Sequence, residues 1–420
     1  MNETQLPAIE DAVRVKCEVL VSGLAVADRL QALTSQANPK KVHLYDYGVA
    51  VPPFTIPDDL ILCRPDGFNA KPVIVRVRYN PQSPWLLDAY DGTPILINRR
   101  ENVVRIVELP MRSPLEDREL AGLPLGSGVQ KLGYDLLGVV PSNVCFYFKQ
   151  GKECRFCELQ DTYLRHRPFP RAAKTAEYLG DALAAAAEAD PSAVHVQTTP
   201  GNLRSYDVTP RLIADMVVRA RRRLGSRPLH IAAAVMPPSD LSIIDVLKDA
   251  GLDEVYFNVE VVRRDLFHAI APGKADYGYE KFLSAFRHAL AVFGEGAVYS
   301  NLVYGVQSLP VSLSTAGWKP ERENDEMLAA VDSLLRLRVL PVFTVYHFTG
   351  HNAIGPLPLD ATGLLGFTRD YGRAVARSGI RPQHAERVIS FSLGSLPNTT
   401  YNDGMALAVC AQEAALDAAA

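Results

Sequence analysis

The chain has 420 residues, of which 48% are hydrophobic and 22% charged, with a formal net charge of −3. This is a globular composition, with apolar material for a large core and enough length for more than one unit. With no basic excess, no nucleic-acid partner is expected. No apolar run approaches the roughly 18 residues of a membrane helix, and the opening MNETQLPAIEDAVRVKCEVL lacks a secretory pattern. A cytoplasmic protein without a membrane partner is expected. Thiols stay reduced there, so clustered cysteines point to metal or catalysis before disulfides.

Residues 8–35 are predicted as a helix, because Ile9, Val13, Cys17, Leu20, Leu24 and Ala27 recur at steps of three and four. From 41 to 110 short β-type runs (KVHLYDYGVAV, DDLILCR, KPVIVRVRYN, PWLLDAYDG, TPILINR and NVVRIVELP) are divided by Pro, Gly, Asn and Asp. Residues 110–133 are rich in Pro and Gly and are expected to be a linker. The expected division is therefore an N-terminal α+β module with linker over 1–133, a barrel over 134–383 and a C-terminal extension over 384–420.

Beyond the linker, apolar strands alternate with helical segments. The strands are DLLGVVPSNVCFY, SAVHVQTTPGN, PLHIAAAVMPP, DEVYFNVEVV, AVYSNLVYGVQ and VLPVFTVYHF. In the helix TPRLIADMVVRARRRLG, Thr209 is the expected N-cap and Gly225 the stop; Ser239 or Asp240 should cap the next one. Arg219 to Arg223 are read as a solvated helix end. Near-continuous apolar strands suit a parallel sheet covered on both faces. Six successive βα units favour an α/β fold of the (βα)6 partial TIM barrel kind, preceded by a smaller mostly-β module. The chemically suggestive residues all fall at strand ends, where such a barrel collects its active site.

Three of six cysteines sit within NVCFYFKQGKECRFCEL: Cys145, Cys154 and Cys157. Cys17, Cys63 and Cys410 are isolated and are read as small buried hydrophobes. Four ligands would complete a structural zinc site; His43 is far off in sequence, but His166 lies only nine residues beyond Cys157, so a zinc knuckle stays open. Iron held as a [4Fe–4S] cluster normally takes four thiolates, and three leave one iron open to a small molecule.

Three cysteines after the first strand of a (βα)6 part-barrel, with Phe156 just before the third, resemble the radical S-adenosylmethionine (radical SAM) superfamily. The spacing here is Cys-x8-Cys-x2-Cys, where the family's usual first gap is three. The stretches IIDVLKDAGLDEVYFNVEVVRRDLF and GYEKFLSAFRHALAVFGEGAVYSNLVYGVQS resemble its biotin-synthase-related branch. The resemblance implies a [4Fe–4S] cluster on Cys145, Cys154 and Cys157, with S-adenosylmethionine (SAM) bound at the open iron. Thr198, Thr199 and Asn202 stand where the family holds the methionine amine, although the usual Glu is missing. Asn258 and Glu260 match positions that bind ribose or the methionine end. Ser300 and Asn301 are candidates for carboxylate or ribose, Gly305 for adenine support, Phe156 for packing near adenine, and His347 and His351 for substrate.

The implied chemistry is one-electron cleavage of SAM to methionine and a 5′-deoxyadenosyl radical, which takes hydrogen from a small-molecule substrate. Rearrangement, C–C bond chemistry and epimerisation stay open. The implied electron source is an external reductant of the flavodoxin or ferredoxin type. The N-terminal module is a candidate for capping the barrel mouth or for forming a homodimer. The rival readings are a peptide- or RNA-modifying radical SAM enzyme and a non-catalytic zinc or iron–sulfur protein.

Overall fold

Helix α1, Leu6–Ser22, buries Ile9, Val13, Cys17 and Leu20, the stripe expected from their spacing. It does not continue to residue 35. Gly23 turns left-handed at φ +70°, and its N–H closes on Val19 O at 2.8 Å. In the computed structural model, which describes residues 6–40, 54–64, 72–142, 144–157, 159, 174–350, 352–383 and 399–417, strand β1, Ala25–Val26, follows. The run 41–51, expected as a strand, lies outside the described residues, as do His43 and His166.

Strands β2 (Asp59–Cys63) and β3 (Val73–Arg76) pair antiparallel. Strands β4 (Trp85–Tyr90), β5 (Thr93–Asn98) and β6 (Val103–Ile106) form a second sheet, ordered β1-β4-β5-β6. Asp91 and Gly92 both have positive φ, the backbone a two-residue hairpin demands.

The stretch expected as a linker is partly ordered into strands. Beyond a small hairpin of β7 (Glu119–Leu120) and β8 (Leu123–Pro124), strand β9, Val129–Leu132, pairs antiparallel with β10, Leu136–Val139. Its Val129 is buried, and Lys131 is tied to Asp190 at 3.0 Å and Ser192 at 2.7 Å. Pro and Gly density hid this edge strand.

From β10 the main sheet runs in chain order and in parallel through β11 (His195–Thr198), β12 (His230–Ala234), β13 (Glu254–Tyr256), β14 (Val298–Tyr304) and β15 (Leu340–Val345). The result is a curled half-barrel sheet of seven strands in an α/β fold. Helices Ala176–Ala189, Val208–Leu224, Ser242–Asp249, Tyr279–Phe293, Pro320–Arg336 and Ala361–Ser378 follow the strands in turn. Among the described residues, no helix is long and apolar enough to cross a membrane.

One expected cap shifts and one holds. Thr209 is buried within its helix, and Asp207 before it accepts instead from the Ser239 N–H at 2.6 Å. Asp240 accepts from Ser242 N–H, 3.0 Å away, as expected of a cap. The arginine run is not simply solvated. Arg221 clamps the chain through Leu229 O, Gly251 O and Asp253, while Arg219 and Arg223 pair with Asp181.

The C-terminal helix Tyr401–Asp417 packs on Ala361–Ser378 and α1. There Lys16 Nζ meets Asp403 at 2.6 Å, buried, and the Thr368 and Thr400 hydroxyls meet at 2.6 Å. The three stretches that the sequence divides into module, barrel and extension are thus joined by buried polar contacts.

Candidate active site

The cysteine loop leaves β10 and is pinned on two sides. Phe146 N–H donates to Asn202 O at 2.7 Å, and Gly201 N–H donates to Ser142 O at 2.7 Å, binding it to the loop after β11. On the other side Gly273 N–H reaches Lys152 O at 3.0 Å and Arg155 N–H reaches Ile270 O at 2.8 Å. Two glycines allow this closeness. A Cβ on Gly201 would sit 2.5 Å from Val144 O, and one on Gly273 would sit 2.3 Å from the Tyr147 ring.

This pinning brings Cys145, Cys154 and Cys157 to one cavity of about 340 Å³. Phe156, Thr199, Asn202, Asn258, Glu260, Asn301 and His347 line the same cavity, together with apolar residues such as Val235, Met236, Val303, Val342 and Val345. Residues from β11 to β15 or the loops that follow them, and from the cysteine loop after β10, therefore face one space. Burial pushes the Cys154 thiol up to about 12, against the lowering pull of Lys274.

Glu260 differs from its sequence reading. Strand β13 stops at Tyr256, and Glu260 has φ +66°, left-handed for a non-glycine residue. The strand expected over DEVYFNVEVV is therefore shorter than its apolar run. The backbone still rejoins β14: Glu260 N–H donates to Asn301 O at 2.9 Å, and Val303 N–H to Glu260 O at 3.0 Å. The carboxylate is buried and holds two partners, Lys274 Nζ at 2.7 Å and Asn301 Nδ2 at 2.9 Å. The turn keeps the Glu260 carboxylate on the cavity side, where Asn258 also lies.

Lys274 escaped the sequence reading. It lies in the loop-like APGKADYG, which the structure folds into a short helix, Pro272–Tyr277. Its ammonium donates to Glu260 and, at 2.7 Å, to Asn258 O. Burial pulls its pKa down, but Glu260 and Cys154 outweigh this and hold it above the usual lysine value. Lysine between Gly and Ala near a proline gives no periodic signal; only the fold brings it to the cysteines.

Three sequence candidates stand away from the cavity wall. Thr198 and Ser300 are fully buried behind it, and Ser300 Oγ accepts from Val259 N–H at 3.1 Å, a backbone-bracing role. Gly305, at φ +106°, packs on Tyr346, and its N–H donates to buried Glu323 at 2.6 Å. His351 lies outside the described residues. Cys17 is buried as expected, Cys63 is half-buried, and the Cys410 side chain lies outside the described residues.

Among the described residues, no three His, Cys, Asp or Glu side chains close on a single metal ion. A cluster held at its corners asks less, namely that three thiols face one space, and soft thiolates suit iron–sulfur centres. The same wall carries buried polar atoms with no partner among the described residues: Thr199 Oγ1, Asn202 Nδ2 and Thr209 Oγ1. Such atoms are costly unless a ligand satisfies them. The residues present fit a thiolate-held cluster with a polar cofactor beside it.

No protein-family model matches the chain. In sequence it is 30% identical over 209 residues to the bacteriochlorophyllide c C-7(1)-hydroxylase of Chlorobaculum limnaeum. That match covers 46% of this chain and 51% of the relative, so the chain spans about half the length of the curated relative it matches. Coproporphyrinogen III oxidase (HemN) from Escherichia coli, described as a radical SAM enzyme, is similar at 15% identity and a TM-score of 0.35, over 64% of this chain and 60% of that one. Methylornithine synthase (PylB) is similar at 14% identity and a TM-score of 0.41, over 60% and 63%. These overlays are partial.

Proposed function

We propose that Cys145, Cys154 and Cys157 hold a [4Fe–4S] cluster, that SAM binds beside it, and that the target is an unreactive C–H bond of a small molecule. The observation that carries this is the convergence of the three thiols, the Lys274–Glu260 pair and the orphaned Thr199, Asn202 and Thr209 atoms on one cavity. When bound, the cluster and SAM supply the one-electron cleavage chemistry of the superfamily. The chain's residues bind, orient and exclude water.

Lys274 and Glu260 present opposite charges side by side, which suits the carboxylate and ammonium of the methionine end. Lys274 also offsets the charge of nearby thiolates. Thr199 and Asn202 offer further polar contacts there, Asn258 and Asn301 suit ribose, and Phe156 gives adenine a flat apolar face. Apolar walls from Val303, Val342 and Val345 keep water from the reacting centre.

The finer assignments belong to the same proposal. They are a (βα)6 partial TIM barrel over 134–383 of the biotin-synthase-related branch, a separate module over 1–133, an extension over 384–420, an external flavodoxin- or ferredoxin-type reductant, and a cytoplasmic setting. The relative's name gives a hydroxylation at C-7(1) of bacteriochlorophyllide c, which supports C–H functionalisation as the reaction class. The test is anaerobic reconstitution: about four irons per chain with broad visible absorption are expected. Colourless protein with one tightly held zinc would reject it.

A further inference from the structure

Glu260 keeps a left-handed backbone, φ +66°, which a non-glycine residue holds only where its surroundings over-determine it. Its bonds to β14 fix one side of the turn. Gln307, buried in the turn 305–308 that follows β14, fixes the other. The Gln307 amide nitrogen Nε2 donates to Glu260 O at 2.8 Å and to Val303 O at 3.1 Å. Gln307 is held in its own place by Glu323, fully buried on helix Pro320–Arg336. The Glu323 carboxylate accepts from the N–H groups of Gly305 at 2.6 Å, Gln307 at 3.1 Å and Ser308 at 2.8 Å, and from the Ser308 hydroxyl at 2.7 Å.

A carboxamide nitrogen carries two hydrogens, so one serves each carbonyl. The flipped amide would set its oxygen against two carbonyl oxygens, which fixes the orientation. Glu260 O, with two lone pairs, accepts from both Val303 N–H and Gln307. Gln307 is not on the cavity wall, but the residue whose turn it holds is there and pairs with Lys274. We infer that Gln307 is a positioning residue of the active site, its amide pinning the left-handed turn that presents the Glu260–Lys274 pair to the cofactor. This rests on the radical SAM reading only for which cofactor the pair meets. The path runs from helix Pro320–Arg336 through Glu323, Gln307 and the Glu260 backbone to Lys274 beside the cysteines.

The first test needs no SAM. Gln307→Met keeps the length of the side chain and removes both donors. In the full chain, hydrogen exchange at the Glu260 and Val303 amides, whose bonds close the turn, should quicken about tenfold, the worth of one buried amide hydrogen bond. Unchanged exchange in a folded variant overturns the inference. If Gln307→Met does not fold, Gln307→Glu, which keeps the shape and loses at least one donor, is read the same way. Failure of both to fold overturns it too, because Gln307 would then serve the fold as a whole. The second test uses iron-loaded protein and SAM. The SAM concentration for half-maximal 5′-deoxyadenosine release should rise about tenfold in Gln307→Met, more than the maximal rate falls. In a Glu260→Gln background the same change should cost less than about twofold in SAM affinity, because Gln307 acts through Glu260. Full additivity of the two substitutions overturns the inference. Iron-loaded wild type that binds no SAM would sink the radical SAM reading, and the exchange result would still decide whether Gln307 pins the turn.

Discussion

Replacing Lys274 by Met tests the site's electrostatics most sharply. The ammonium lies 2.7 Å from Glu260 Oε1, and both side chains are nearly buried. At an effective dielectric of 20 the gross attraction is roughly 6 kcal/mol, much of it offset by the desolvation of both ions. Removing one partner strands the other. Glu260 would keep only Asn301 Nδ2, and the loss expected for a broken buried pair is about 3–5 kcal/mol. Glu260→Gln added to Lys274→Met removes the stranded charge, so the double variant should be more stable than Lys274→Met alone. Urea unfolding of anaerobically prepared proteins measures all four corners of this cycle. The same single variant should weaken SAM binding about 10- to 150-fold, the worth of a charged hydrogen bond of roughly 1.5–3 kcal/mol. Strictly additive stabilities together with unchanged SAM affinity by calorimetry would refute the argument.

Ala at Cys145, Cys154 or Cys157 should each abolish iron retention, whereas Cys17, Cys63 and Cys410 variants should keep it; iron and sulfide analysis decides. Gly273→Ala should push Tyr147 out of place, cost about 1–3 kcal/mol by overpacking, and lower iron loading, which melting curves and iron counts would show. In metal-free protein the Cys154 thiol, raised to about 12 by burial, should alkylate slowly near pH 8 and gain about tenfold per pH unit above it. Because its folded pKa lies above the unfolded value of about 8.5, the stability it contributes is present below that value and falls as pH rises towards about 12. Peptide mapping that shows a rate plateau below pH 9 would contradict this.

The alternation of apolar strands and amphipathic helices made the half-barrel legible, since buried parallel strands leave long apolar runs. That three cysteines share one cavity was legible from their closeness in sequence. What sequence could not show is where backbone rules bend. Glu260 reaches the cavity from a left-handed turn beyond Tyr256, not from the longer strand expected over DEVYFNVEVV. Thr198 and Ser300 belong to strand residues buried behind the wall, and no local pattern separates them from Thr199 and Asn301 one position on. Lys274 enters through long-range packing. Gly23 ended the first helix although the apolar stripe ran on, because its own N–H closes the last turn.

The central claim, that this cavity cleaves SAM at a thiolate-held cluster, is tested most directly by one incubation. Anaerobic, iron-loaded protein is mixed with SAM and a strong one-electron reductant, and the nucleosides are separated and weighed. The account predicts 5′-deoxyadenosine with matching methionine from wild type and none from Cys154→Ala. Iron-loaded wild type that binds SAM but releases no 5′-deoxyadenosine, or only methylthioadenosine, would contradict it.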